Sequence, residues 1–355
     1  MIQTHHFDFI VIGSGIAGLT ASRYLSNYGS VCIITKSSIK DGATQYAQGG
    51  IAVALKEDDT PSHHYEDTIR AGDELCDPEA VKILVEEGPK RVQELISLGA
   101  KFDTKNGELQ FTKEAAHHRR RILHAGDETG KEIEKTLGNT ILNEKKVTFF
   151  TDTAVLELLV KDNQCIGCMG VKNKEVQLFY ANATIIATGG LGQIYSHNTN
   201  PPIATGDGIA LGFQAGCTIQ DMEFIQFHPT TLYLGDKKPI SIFLITEAVR
   251  GEGGIIRNHQ GDAFLNQYHP DAELAPRDIV ARATFSEMHK HNLNHVYLDL
   301  SNLKVDLKTR FPNIYKRCLK AGINITRDFI PVAPAAHYFM GGIQDRKSTR
   351  LNSSH

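Results

Sequence analysis

The chain has 355 residues, of which 41% are hydrophobic and 22% charged, a balance that excludes disordered and fibrous classes. Its formal net charge of −3 offers no basic field for nucleic acid. No basic segment leads into a long apolar run near Met1, which predicts a cytoplasmic protein with no leader and no membrane span.

This length predicts about two or three domains and room to enclose a large ligand. Residues 7–12 form a short apolar run stopped by glycine, the pattern of a buried parallel strand. A helix is expected from Ile16 to Asn27, ended by Gly29, and a second strand over residues 31–35 completes a βαβ unit. The turn between first strand and helix reads Gly13-Ser14-Gly15-Ile16-Ala17-Gly18. In that context the spacing has a physical meaning. Gly13 permits the turn, Gly15 lets backbone approach a pyrophosphate, and Gly18 lets helix and strand pack closely. The alternative reading is a glycine-rich turn with no ligand. The fingerprint does not choose between NAD and FAD. Thr35-Lys36 stands where an acidic residue usually holds the ribose, so ribose recognition differs here.

Asp77-Pro78 predicts a capped helix start, and Val81, Leu84, Val85, Val92, Leu95 and Ile96 supply an apolar face up to Gly99. Residues 147–186 read as successive strands, and residues 184–190 as a buried strand meeting a ligand at its carboxyl end. Another helix is expected to start at Gly206-Asp207-Gly208. Beyond about Asp221 the chain becomes richer in His, Arg and polar turns, where a second, inserted domain is expected. Of the six cysteines only Cys165 and Cys168 are suggestively spaced. With no second pair, no metal site is expected.

Residues 41–50, with Ala43, Thr44, Gln45, Tyr46, Ala47, Gln48, Gly49 and Gly50, resemble the flavin loop of the fumarate reductase, succinate dehydrogenase and aspartate oxidase superfamily. Residues 221–233, 246–254, 274–282 and 334–338 are each similar to motifs of the L-aspartate oxidase family and occur in its order. Together they carry the resemblance from about residue 7 to residue 344. It implies an α/β fold: a Rossmann-type FAD-binding domain over residues 1–221 with an inserted α+β capping domain over residues 222–340. Gly13, Ser14, Gly15, Ile16, Ala17, Gly18, Lys36, the loop residues 43–50, Gly189 and Asp207 form the implied FAD site. Respiratory members of the superfamily attach FAD through a histidine where this chain has Ala43. The resemblance therefore implies FAD held without a covalent bond.

The same resemblance makes His228, Thr246 and His337 carboxylate binders, places Gln226 beside them, and puts Arg277 where the family has its proton-transfer arginine. An arginine rarely releases a proton, so that role needs an unusual environment or a mainly electrostatic contribution. Glu114 matches the family's glutamate proposed to receive the substrate amine. The neighbouring basic run, residues 117–121, reads equally as a solvated face or as a loop closing over a dianion. The implied reaction is oxidation of L-aspartate to iminoaspartate with O2 or fumarate as electron acceptor. It is a step of NAD biosynthesis by the quinolinate route, functionally coupled to quinolinate synthase. The alternatives are a soluble fumarate reductase or succinate oxidase, and an inactive fragment. After Gln344 the resemblance stops, and residues 345–355 read as a non-native tail. The family's returning strand of the flavin domain and its C-terminal helical domain are then expected to be absent.

Overall fold

The structure, a computed structural model, describes residues 2–114, 116–126, 128–235 and 241–344; the expected tail, residues 345–355, lies outside the described residues. The first strand, Gln3–Ile12, begins before the predicted apolar run and lies in the middle of a six-stranded sheet. Parallel to it run Val31–Ile34 on one side and Glu175–Ile186 on the other, with Val147–Phe150 parallel beyond Val31–Ile34. The antiparallel strands Gln164–Lys172 and Ala154–Lys161 complete the sheet.

Side chains of a strand alternate between faces, so a continuous apolar run requires cover on both. Val11, Val31 and Ile33 enter one buried cluster with Leu19, Leu137 and Ile141, while Ile10, Ile12, Cys32 and Ile34 enter another with Phe179 and Leu211. Helices Ile16–Leu25 and Thr129–Leu142 cover the first face, and Asp207–Gln214 the second. The first helix ends two residues before the expected Asn27. Helix Pro78–Ser97 starts as its sequence predicts: the Asp77 carboxylate accepts from the N–H groups of Glu79 and Ala80.

A second, four-stranded antiparallel sheet has the spatial order Ile225–Leu232, Ile330–Phe339, Val296–Asp299, Ile255–Arg257. Helix Arg277–Lys290 packs on it, around a separate apolar cluster that includes Ile256, Phe264, Phe311, Ile330 and Val332. Chain exit and return are adjacent, because Ile219–Gln220 pairs antiparallel with Gly342–Ile343. All six cysteines are free. Among the described residues no His, Cys, Asp and Glu cluster could hold a metal ion, and no helix is long and apolar enough to cross a membrane.

Candidate active site

Gly15 gives helix Ile16–Leu25 no side-chain cap of its own; Thr44 takes the Ile16 N–H, and the rest of the first turn opens beside a cleft of about 500 Å³. Free N–H groups and the positive end of the helix dipole make an anion site. Two glycines are obligatory beside it. Gly13 has φ +112°, and a Cβ there would lie 2.2 Å from the carbonyl oxygen of Ala187; a Cβ on Gly18 would lie 2.0 Å from that of Gly13. Ser14, Gly15, Ile16, Ala17, Lys36, Ala43, Thr44, Gly189 and Asp207 also wall the cleft. Thr44 ties the loop to the helix by accepting from the Ile16 N–H at 3.1 Å. Lys36 does not reach out for a phosphate; its ammonium pairs with Asp207 at 2.7 Å.

The rest of the expected loop points elsewhere. Gln45, Tyr46, Ala47 and Gln48 wall a neighbouring cavity of about 340 Å³ with Lys316, Arg317 and Lys320. Gly50 packs against Ile122 and Leu123, while Gly49 touches no such neighbour.

Strand Ile330–Phe339 runs from the antiparallel sheet directly to Gly341, Gly342 and Ile343, which wall the same glycine-lined cleft. His337 lies near the end of this strand and His228 on its partner, their ring centroids 5.3 Å apart. Pro229, with no N–H to give, sits where the register between the strands shifts. His228 is buried, and its Nδ1 accepts from the Thr230 N–H at 3.3 Å, which leaves Nε2 as an enclosed donor with no partner. Burial, then the charge of Arg277, holds His228 well below the usual histidine range; the same two causes bring His337 down to about 4. Both rings are therefore neutral near pH 7. His337 Nδ1 meets the Thr199 hydroxyl at 2.8 Å, and buried Thr246 lies two residues past Leu244, which bridges to Thr231.

Arg277 opens helix Arg277–Lys290 and donates from NH1 to Gln226 Oε1 at 2.9 Å and from Nε to Glu247. Glu247 in turn lies 3.5 Å from NH2 of the buried Arg250. Burial works against the charge of Glu247, but Arg277 and Arg250 keep its carboxyl below the usual range. This Arg–Glu–Arg chain was not singled out as functional from sequence, although Glu247 and Arg250 stand in the 246–254 motif. Their i, i+3 spacing on a short helical turn was the available signal.

Glu114 feels the charges of Glu247, Arg277 and Arg250. Both glutamates face a third cavity of about 750 Å³ with His117, His124 and Glu273. Glu114 Oε1 is enclosed without a hydrogen bond, its nearest cationic candidate being His124 Nε2 at 3.5 Å. Burial, reinforced by Glu247 and opposed by Arg277, pushes the carboxyl up to about 7. The basic run beside it divides. Arg121 is wholly buried between Asp59 and Asp67, His118 pairs with Asp67, and Arg119 and Arg120 are exposed. Charge-run composition could not separate these fates.

The glycine-lined cleft at a helix N-terminus fits a dinucleotide, and the family model described as "FAD binding domain" matches residues 8–353. The chain belongs to this FAD-binding family. Within it, the chain is 44% identical to L-aspartate oxidase of Synechocystis over 96% of its own length and 62% of that protein. It is 43% identical to the chloroplastic L-aspartate oxidase of Arabidopsis thaliana, over 96% of this chain and 55% of that one. Among solved structures it resembles a quinol fumarate reductase of E. coli with a TM-score of 0.91 and 33% identity, covering 96% of this chain and 62% of that one. A Mycobacterium smegmatis Sdh1 structure matches with a TM-score of 0.80 and 35% identity, covering 96% and 61%. The chain thus spans between half and two thirds of the length of these FAD-family relatives. Its cofactor is FAD, and the tight glycines and the helix start that opens on the cleft are the features of this chain that fit it.

Proposed function

We propose that this chain carries the FAD site and much of the substrate site of an L-aspartate oxidase. In this reading residues 1–221 bind the cofactor and residues 222–340 cap it, with their own apolar cluster and closely spaced exit and return strands in support. Bound FAD supplies the two-electron acceptor for the aspartate α-carbon hydride. The product is iminoaspartate, and O2 or fumarate takes the electrons away.

The residues divide the remaining work. The enclosed Nε2–H of neutral His228 donates to a substrate carboxylate, with His337 and Thr246 completing the carboxylate sites. Arg277 faces the reacting carbon as a charge that Glu247 orients. As the Cα hydride leaves and the C=N bond forms, the ammonium releases one N–H proton. The Arg277–Glu247–Arg250 chain, with the Glu247 carboxylate as acceptor, offers it the route that an isolated arginine lacks. Glu114 carries the choice of substrate. A buried carboxyl with one unpartnered oxygen is suited to a cationic ammonium, and succinate and fumarate have none. With Ala43 in the cleft wall, and no His or Cys among its described lining residues, FAD is held without a covalent bond. Free cysteines suit a reducing compartment such as the cytoplasm. Iminoaspartate hydrolyses readily, so functional coupling to an enzyme that consumes it, such as quinolinate synthase, is expected.

Anaerobic addition of substrate to the FAD-loaded protein tests the reading. L-aspartate should bleach the flavin absorbance and succinate should not; bleaching by succinate alone would replace this reading with a succinate oxidase.

A further inference from the structure

Helix Thr129–Leu142 presses on the flavin loop so closely that a Cβ on Gly130 would lie 1.9 Å from the Thr44 carbonyl oxygen, and Gly130 donates its N–H to Ala47 at 3.0 Å. Glu134 is one turn further on, and positions i and i+4 share a helix face. Its side chain is therefore carried to the back of the same loop. A Cβ on Gly42 would lie 3.3 Å from Glu134 Oε1 and, towards the helix start, 3.5 Å from Gly15 Cα, so the carboxyl sits directly behind Gly42, a glycine that walls the cofactor cleft next to Gly15. Glu134 is only 4% exposed, and among the described residues its Oε1 is enclosed with no hydrogen-bond partner and the carboxyl enters no ion pair. It joins no apolar cluster either.

The charges around it are few. From the loop, Asp41 acts against ionisation and Lys40 favours it; on its own helix Lys131 and Lys135 pair with Glu128 and Glu132. The start of helix Ile16–Leu25 brings no titratable side chain, and the titratable groups among the described cleft walls are Lys36 and Asp207, which pair with each other. Burial first, then Asp41, pushes the Glu134 carboxyl up to about 7.

We propose that Glu134 is a positioning residue of the cofactor site which must carry its proton for the pyrophosphate to bind. An unpaired carboxylate behind Gly42 would oppose the phosphate charge at the neighbouring positive helix end, whereas the neutral acid leaves that end to the ligand. Binding then takes up a proton, and affinity falls by up to tenfold per pH unit as pH rises above about 7. The inference rests on FAD placing its pyrophosphate at residues 13–18.

Titration of the protein with FAD, followed by flavin fluorescence between pH 6 and 9 (about one unit below and two above the Glu134 midpoint), tests it. The dissociation constant should climb through this range for the unaltered protein. Glu134→Gln and Glu134→Leu should show no climb, with Glu134→Gln binding as tightly at high pH as the unaltered protein does at low pH. ADP-ribose, which carries the doubly esterified pyrophosphate without the flavin, should show the same slope by calorimetry. A flat profile for the unaltered protein, or an unchanged slope in Glu134→Gln, overturns the proposal. A slope with FAD but not with ADP-ribose overturns the pyrophosphate assignment. No FAD binding at any pH refutes the cleft reading itself and the proposal with it.

Discussion

Replacing Arg121 by methionine keeps an unbranched side chain of similar reach and removes one buried charge. In the native protein Nε and NH2 of Arg121 grip both oxygens of Asp59 at 2.8 and 2.9 Å, and NH1 holds Asp67 at 2.7 Å. The side chains of Arg121 and Asp59 are 0% exposed, and that of Asp67 is 4% exposed. Asp67 keeps the His118 backbone N–H at 2.9 Å and the His118 ring, but Asp59 keeps only the Thr60 N–H at 3.0 Å and a half-exposed His63 at 3.7 Å. Removing one partner of a buried ion pair costs about 3–5 kcal/mol, because the remaining charge is stranded away from water. Against a total stability of about 5–15 kcal/mol that is a large fraction. At about 2–4 °C per kcal/mol it lowers Tm by about 6–20 °C. Urea denaturation followed by circular dichroism measures it; the chain has no tryptophan, so tyrosine emission is the second probe. One further result is expected: the double variant Asp59→Asn with Arg121→Met should lose less than the two single losses combined. A loss below about 1 kcal/mol, with the two single losses simply adding in the double variant, would show a solvated network of the surface kind and refute the reasoning.

Glu114→Gln should reduce aspartate oxidation about tenfold to a hundredfold, the worth of a hydrogen bond to a charged group, and spare fumarate reduction; parallel steady-state assays would discard the specificity argument if both activities fell alike. Gly18→Ala should abolish stoichiometric FAD binding, since its Cβ would meet the Gly13 carbonyl oxygen at 2.0 Å, and equilibrium dialysis that finds normal affinity would contradict it. Acid precipitation should leave all flavin absorbance in the supernatant, whereas flavin in the pellet would mean a covalent link. Because burial and Arg277 hold His228 and His337 below their ordinary values, both are already neutral above about pH 6, and the KM for aspartate should show no step from these histidines between pH 6 and 8. A tenfold change there that disappears in His337→Gln would count against neutral carboxylate donors.

The parts of this protein that local chemistry specifies were legible in the sequence. Gly13, Gly15 and Gly18 announce a dinucleotide cleft because each answers a steric demand between near neighbours: a positive φ, an approaching ligand, a crossing helix. The run from Phe7 to Ile12 announces a strand buried on both faces, and Asp77-Pro78 a helix start, for equally local reasons. What pairs across the chain was not legible. Glu247 gains its role only when Arg277, thirty residues away, folds against it. Arg119, Arg120 and Arg121 are chemically identical, yet only the last finds two buried aspartates, each more than fifty residues away. Glu134 was overlooked because a glutamate on an amphipathic helix is ordinarily solvated. Composition and spacing determine which groups can turn, cap or alternate, since those forces act within a few bonds. Burial and charge pairing are set by what lies opposite, and that only the tertiary structure decided.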